Sequence, residues 1–135
     1  MDEQTIELAK YRIEKAKEEL EAAKILYEKD IIKSSLSSSY YSIFHTARAL
    51  LLFKKLGSKK HSGVIALFNK EFIKTGLFDE KCKDILTKAF HIRIESDYED
   101  FYVASREETI EQIENAEFFL NEIIEFIKQH YNVEL

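Results

Sequence analysis

The stretch SYYSIFHTARALLLFKKLG, residues 39–57, indicates the fold class because its apolar residues recur with the period of an amphipathic helix. The helix is predicted to span residues 34–56. Gly57 follows at the position where a left-handed residue ends many helices. The buried face is predicted to consist of Leu36, Tyr40, Ile43, Ala47, Leu50 and Leu51.

Two long helices are predicted at the ends of the chain. The first spans residues 5–29, and the last opens at Ser105, which forms a capping box with Glu108. The apolar stripe of the first helix is predicted to contain Leu8, Ile13, Ala16, Leu20, Ala23 and Tyr27. That of the last helix is predicted to contain Ile110, Ile113, Ala116, Leu120, Ile123 and Ile127.

Two shorter helices are predicted between them. One spans residues 61–75 and is closed by Gly76, and the other is capped by Asp79 and runs to about Asp97. Residues 90–95 alternate between apolar and polar as a short strand would, but their flanks are helical in pattern, so they are assigned to the helix. The sequence predicts an all-α, up-and-down bundle of four or five helices in a single domain, residues 1–135.

Composition narrows the class further. The 135 residues include no proline and are 45% hydrophobic and 33% charged, as in a soluble helical domain. The lone Cys82 excludes an internal disulfide and argues against a cysteine metal site, which fits a reducing cytoplasm. The N-terminus has no apolar signal region, and the longest apolar run, residues 49–53, is too short for a membrane span. We expect a cytoplasmic protein that uses no metal or cofactor and does not insert into a membrane.

Charge is divided unevenly along the chain. The net charge of −5 argues against a general nucleic-acid binder. Residues 45–90 nevertheless hold ten Lys/Arg against four Asp/Glu, whereas residues 91–135 hold three against twelve. The basic part either attracts a phosphate or an acidic partner, or simply carries solvated helix faces.

Basic and aromatic residues meet in two places. In the long second helix, Tyr41, His45 and Arg48 share one stripe, which either contacts a ligand or packs against the bundle. Lys59, Lys60 and His61 surround a predicted helix start, where backbone N–H groups favour phosphate. These three residues and Arg48 are predicted to bind a nucleotide or phosphate, the alternative being a basic surface loop.

The segment RIESDY, residues 93–98, pairs an arginine with an aspartate. Arg93 and Asp97 lie four residues apart, close enough on a helix to form an ion pair that orients the guanidinium towards a phosphate. Tyr98 lies about 140° around the helix from Arg93, so the two share a site only if the helix ends or bends there.

Taken together, YYSIFH (residues 40–45), KKHSG (59–63) and RIESDY (93–98) resemble the HEPN domain family, and the resemblance covers nearly the whole chain. It implies a four- or five-helix bundle, a homodimer, and a minimal nucleotidyltransferase as partner. Many members are metal-independent endoribonucleases, in which an arginine is followed by four to six residues and a histidine. Arg93 matches that arginine, but the three possible histidine positions hold Tyr98, Glu99 and Asp100.

Other members are toxins whose nucleotidyltransferase antitoxin transfers AMP to a tyrosine, and Tyr98 and Tyr102 are the candidates here. Three functions remain open. The first is a nucleotide- or RNA-related module acting with a nucleotidyltransferase, possibly as the toxin half of a toxin–antitoxin pair. The second is an active endoribonuclease, with Arg93, Asp97 and Tyr98 as candidate catalytic residues. The third is a helical dimerisation scaffold without a ligand.

Overall fold

The computed structural model describes residues 2–135 and confirms the all-α prediction. The five helices are α1 (Glu3–Glu28), α2 (Ile32–Leu51), α3 (His61–Phe68), α4 (Glu80–Tyr98) and α5 (Arg106–Tyr131). The alternating residues 90–95 lie inside α4, and no strand forms in residues 2–135. None of the helices described is both long and apolar enough to cross a membrane.

Helix α2 lies at the centre of the bundle and packs against each of the other four helices. Its serine-rich beginning, which contrasts with the apolar faces of the other helices, is explained by its contact with α1. Ser35 and Ser42 are fully buried, and their hydroxyls donate hydrogen bonds of 2.6 and 2.8 Å to the carbonyls of Ala23 and Ala16. Small side chains on both helices let the two backbones approach closely, and the hydrogen bonds satisfy the buried hydroxyls.

An aromatic core fills the other side of α2. The rings of Phe68, Phe72 and Phe119 are fully buried, and the ring centres of Phe68 and Phe119 are 5.7 Å apart. These contacts attach α3 and the turn that follows it to α5. The first turn of α3 is therefore held on a well-packed base.

The predicted helix ends are partly right. Asp79 and Ser105 cap α4 and α5 by accepting hydrogen bonds from the Lys81 and Glu108 N–H groups. Gly76 has a φ of +78°, as expected of a residue that closes a helical segment. The α-helical part of α3 is shorter than predicted, because the chain continues through a wider π-type turn at Asn69–Ile73.

Two predictions about single residues were wrong. The left-handed residue after α2 is Lys55, with a φ of +57°, and not Gly57, because α2 ends early in a 3₁₀ turn at Leu52–Lys54. Leu8 is 40% exposed, and the neighbouring Ala9 is fully buried instead. Only a small side chain fits where α1 lies close to α2. Helix periodicity alone therefore predicted Leu8 as the buried residue in place of Ala9.

Candidate functional site

Arg93 on α4 is held by side chains from two helices. Its Nε donates a 2.6 Å hydrogen bond to Asp97 Oδ2, which forms the predicted ion pair, and an Nη1 hydrogen bond of 3.0 Å reaches Ser37 Oγ on α2. The guanidinium carbon lies 4.7 Å from the centre of the Tyr41 ring. Burial alone lowers the pKa of Arg93, but Asp97 and Tyr41 outweigh it, so the pKa is raised and the cation is preserved.

His61, the first residue of α3, lies on the same aromatic surface. Its Nδ1 is 2.6 Å from the Tyr40 hydroxyl, and its ring stacks on Phe44 with centres 4.1 Å apart. The Arg93 guanidinium lies 5.8 Å from the centre of the Tyr40 ring. Tyr40 therefore contacts both Arg93 and His61, although these two residues are 32 positions apart in the sequence.

The turn before α3 sets the position of His61. Ser58 Oγ accepts a 3.1 Å hydrogen bond from the Lys60 N–H and so occupies the N-terminal end of the helix. Gly63 makes this possible, because a Cβ at residue 63 would lie only 2.1 Å from Ser58 Oγ. The KKHSG segment thus brings a histidine, rather than a lysine, to the site.

Protonation in the site follows from burial and from the nearby cations. Burial lowers the pKa of His61 first, and the charges of Arg93 and Arg48 lower it further. Burial raises the pKa of Tyr40, whose side chain is 3% exposed. Near neutral pH the imidazole is therefore neutral and the phenol protonated, so either the Tyr40 hydroxyl donates to Nδ1 or a protonated Nδ1 donates to the hydroxyl oxygen.

We call Ser37, Tyr40, Tyr41, His61, Arg93 and Asp97 the Arg93 cluster. Along α2 the basic character continues beyond it, since the ring of His45 is centred 6.0 Å from that of Tyr41, and Arg48 lies 5.8 Å from the centre of the Phe44 ring. Burial lowers the pKa of His45, and among the nearby charges Arg48 lowers it most.

The other predicted site residues lie apart from this cluster. Lys59 and Lys60 are exposed on the turn before α3. Tyr98 is the last residue of α4 and is 82% exposed. The hydroxyl of Tyr102 donates a 2.5 Å hydrogen bond to Glu108. Within the same residues, no three His, Cys, Asp or Glu side chains converge as metal ligands would.

Sequence reasoning missed Ser37 and the double role of Tyr40. Tyr40 was predicted as a core residue, which is correct, but its hydroxyl also joins His61 to the site. No periodicity carries that information, because the contact depends on how α3 and α4 pack across α2. Arg12 of α1 was missed as well, and its Nη1 donates to the Arg48 carbonyl at 3.2 Å.

An arginine and a histidine held on a shared aromatic surface define a helical-bundle protein with a compact cationic site. The model of the HEPN domain family matches residues 9–129, and the chain belongs to this family. It is 40% identical over 117 residues to "Putative toxin MJ0605" of Methanocaldococcus jannaschii, covering 87% of each chain. It is 36% identical over 115 residues to "Putative toxin MJ0142" of the same organism, covering 85% of this chain and 78% of the relative. A "UPF0332 protein" of Thermotoga maritima is 35% identical over 121 residues, 90% of this chain and 92% of the relative.

Proposed function

We propose that this HEPN-domain chain is the toxin-type component of a two-component pair, whose partner is a minimal nucleotidyltransferase that transfers AMP to Tyr98. Two relatives with toxin in their names support the toxin-type role. The observation that carries the proposal is the exposure of Tyr98 directly beside Asp97, the residue that pairs with Arg93. A change at Tyr98 would therefore act next to the cationic site.

The transfer requires an accessible phenolic oxygen. The Tyr98 oxygen would attack the α-phosphorus of ATP held by the partner, so that an O–P bond forms and the bond to pyrophosphate breaks. The phenolic proton passes to a base of the nucleotidyltransferase or to water. Tyr102 is a poorer acceptor, because burial and its hydrogen bond to Glu108 raise the pKa of its hydroxyl. The phosphodiester on Tyr98 would add negative charge next to Asp97, the residue that pairs with Arg93.

A second copy of this chain is proposed as an additional partner. The segment that follows α4 exposes apolar side chains, with Phe101 95% and Val103 86% accessible next to Tyr98. Exposed apolar residues grouped in this way are typical of protein interfaces. The homodimer is tested by sedimentation of the wild-type chain and of Phe101→Ser, which should shift towards monomer.

The transfer itself is tested by intact-mass measurement. The chain is incubated with ATP, Mg²⁺ and a minimal nucleotidyltransferase from the same genome, and the expected mass gain is one adenylate group. Tyr98→Phe should abolish the gain, whereas the matched variant Tyr102→Phe should retain it. Unchanged modification of Tyr98→Phe, or the absence of any modification and any complex, would refute the proposal.

A second candidate, metal-independent endoribonuclease activity, is favoured by the neighbourhood of Arg93 and His61 around Tyr40. The 2′-hydroxyl of RNA would attack the adjacent phosphorus, forming a 2′,3′-cyclic phosphate as the bond to the 5′-oxygen breaks. With its own ring proton on Nδ1, towards the Tyr40 oxygen, neutral His61 has Nε2 free to accept the 2′-hydroxyl proton. Arg93 neutralises charge on the phosphate, while a proton from water reaches the 5′-oxygen.

This candidate is tested by RNA cleavage in excess chelator. His61→Gln and Arg93→Ala should each lower the rate by about 10²-fold or more, the usual loss for an acid–base or charge-stabilising group. His91→Gln is the matched control, because His91 is exposed and lies about 200° around α4 from Arg93. Equal cleavage by His61→Gln and wild type would exclude His61 as the group that accepts the 2′-hydroxyl proton. A chain with neither cleavage nor modification would leave the scaffold function.

A further inference from the structure

Two arginines from different helices lie side by side at the edge of the Arg93 cluster. Arg12 on α1 reaches across to α2, where its Nη1 donates a 3.2 Å hydrogen bond to the Arg48 carbonyl. The Arg48 guanidinium lies over the Phe44 ring, which also stacks on His61. Both arginines are half-buried. We call Arg12 and Arg48, with His45 between Arg48 and Tyr41, the α1–α2 cationic face.

In the part of the chain that the structure describes, no carboxylate forms an ion pair with either arginine. On its own helix, each lacks an Asp or Glu at three or four residues in either direction, and the charged residue at that spacing from Arg12 is another cation, Lys15. Burial lowers the pKa of Arg12, and the charge of Arg48 lowers it further.

This arrangement is unfavourable without an anion. Half-buried cations are normally paired, and two like charges at close range repel one another. The Arg93 cluster shows the contrast within the same chain, because there Asp97 pairs with the arginine at 2.6 Å. The α1–α2 cationic face is therefore suited to an anion supplied by a ligand.

We propose that Arg12 and Arg48 form a second phosphate-binding subsite, which takes a different phosphate of the same ligand from the one at Arg93. Arg93 contacts Tyr41, and Arg48 lies seven residues further along α2, a distance of about 10 Å at the helical rise. The two guanidiniums lie over different rings, Arg93 over Tyr41 and Arg48 over Phe44, so we assign them to different phosphates of one ligand. The ligand is therefore a chain of phosphates, either the backbone of an RNA strand or the polyphosphate of a nucleotide.

The aromatic and imidazole rings between the two subsites suit a nucleotide ligand. The rings of Tyr41 and His45 are centred 6.0 Å apart and are each only partly buried. Such rings stack on bases in proteins that bind single strands, while cations follow the backbone. This inference extends the proposed function by naming the chemistry that the site recognises, but it depends on binding alone and not on cleavage or on Tyr98.

The test measures binding of two probes to the full chain. Fluorescein-labelled octauridylate is titrated by anisotropy over a range of salt concentrations, and ATP is titrated by calorimetry. Arg12→Gln and Arg48→Gln should each weaken the binding of octauridylate, of ATP or of both by about tenfold, the effect of losing one charge-assisted hydrogen bond. For the oligonucleotide, each variant should also reduce the salt slope by about 0.7, one cation on a single strand.

Lys10→Gln is the matched control, because it removes the same charge from an exposed position about 200° around α1 from Arg12. Arg12→Lys and Arg48→Lys keep the charge and should retain most of the affinity, which separates charge from folding. Helix content and thermal unfolding are recorded for every variant. Two independent arginines keep the test decisive if one substitution unfolds the chain.

The pattern of losses identifies the source of the phosphate. A loss confined to octauridylate assigns the subsite to an RNA backbone, and a loss with ATP assigns it to a nucleotide polyphosphate. Binding that is unaffected by both arginine variants, equally reduced by Lys10→Gln, or absent in wild type overturns the proposal. If Arg93→Ala has no effect while the two arginine variants do, the second subsite stands and the role of Arg93 in the proposed function fails.

Discussion

Replacement of Gly63 by alanine tests how the sequence positions His61. In an ordinary helix this change stabilises a protein by up to about 1 kcal/mol, because alanine is the better helix former. Here the added Cβ would lie 2.1 Å from Ser58 Oγ and 2.8 Å from Ser58 Cβ. Ser58 has a short side chain without a flexible end, so the turn before α3 must move.

The opposing contributions give the sign of the change. Overpacking of this kind costs about 1–3 kcal/mol. Displacement of Ser58 also loses its 3.1 Å hydrogen bond from the Lys60 N–H, which contributes about 0.5–1.5 kcal/mol. Less a gain in helix propensity of about 1 kcal/mol, Gly63→Ala is expected to destabilise the chain by about 0.5–3.5 kcal/mol.

Urea unfolding followed by circular dichroism measures this difference, and two further variants make it specific. Ser58→Gly removes both clashing atoms. Gly63→Ala should therefore destabilise the Ser58→Gly chain much less than it destabilises the wild-type chain. Gly57→Ala is the matched control, since nothing lies within 4 Å of its added Cβ. A Gly63→Ala chain that is more stable than wild type would refute the reasoning, and with it the account of how His61 is positioned.

The remaining predictions concern the site itself. Tyr40→Phe should cost about 1 kcal/mol in urea unfolding, because it removes the hydroxyl bonded to His61 but keeps the buried ring, and the ¹⁵N shifts of the His61 ring should change. Unchanged ¹⁵N shifts would contradict the hydrogen bond between these two side chains. Asp97→Asn should cost less than about 1 kcal/mol, because its pair with Arg93 is partly exposed, and a much larger loss would show that the pair is structural. The pKa values of His45 and His61 are lowered in the folded chain, so their contribution to stability is complete above the unfolded pKa of about 6.5 and is lost as the pH falls through their folded pKa values. Stability measured from pH 7.5 to 5 should fall, and His45→Gln/His61→Gln should make that fall shallower; an equally steep fall would assign it to other groups.

Most of the fold was predictable because helix formation and capping are local. Asp79, Ser105 and Gly76 act over three or four residues, and all three end or begin helical segments as predicted. Leu8 and Gly57 failed for tertiary reasons. The close approach of α1 and α2 selected Ala9 over Leu8, and the early end of α2 moved the left-handed residue to Lys55.

The site was only partly predictable, for the same reason. The pair of Arg93 and Asp97 follows from their spacing on one helix and is present. The contact between His61 and Tyr40 joins residues 21 positions apart and arises only when α3 packs against α2. A signal for Arg12 and Arg48 was present in the sequence, since neither has an acidic residue at helical spacing, but the proximity of the two arginines required the folded bundle.

The absence of a histidine shortly after Arg93 in the sequence does not mean that Arg93 lacks a nearby histidine in the folded chain. A histidine five to seven positions after Arg93 would lie where α4 ends, and the first of these positions is Tyr98, which is exposed. An imidazole can reach an arginine from any helix that packs beside it, and His61 does so from α3 through Tyr40. Arg93 is held by Asp97 on α4 and by Ser37 on α2, whereas His61 depends on the short turn that Gly63 permits. Substitutions in that turn should therefore reduce activity that requires His61 more than they reduce phosphate binding at Arg93. This difference separates the ribonuclease function from simple anion binding.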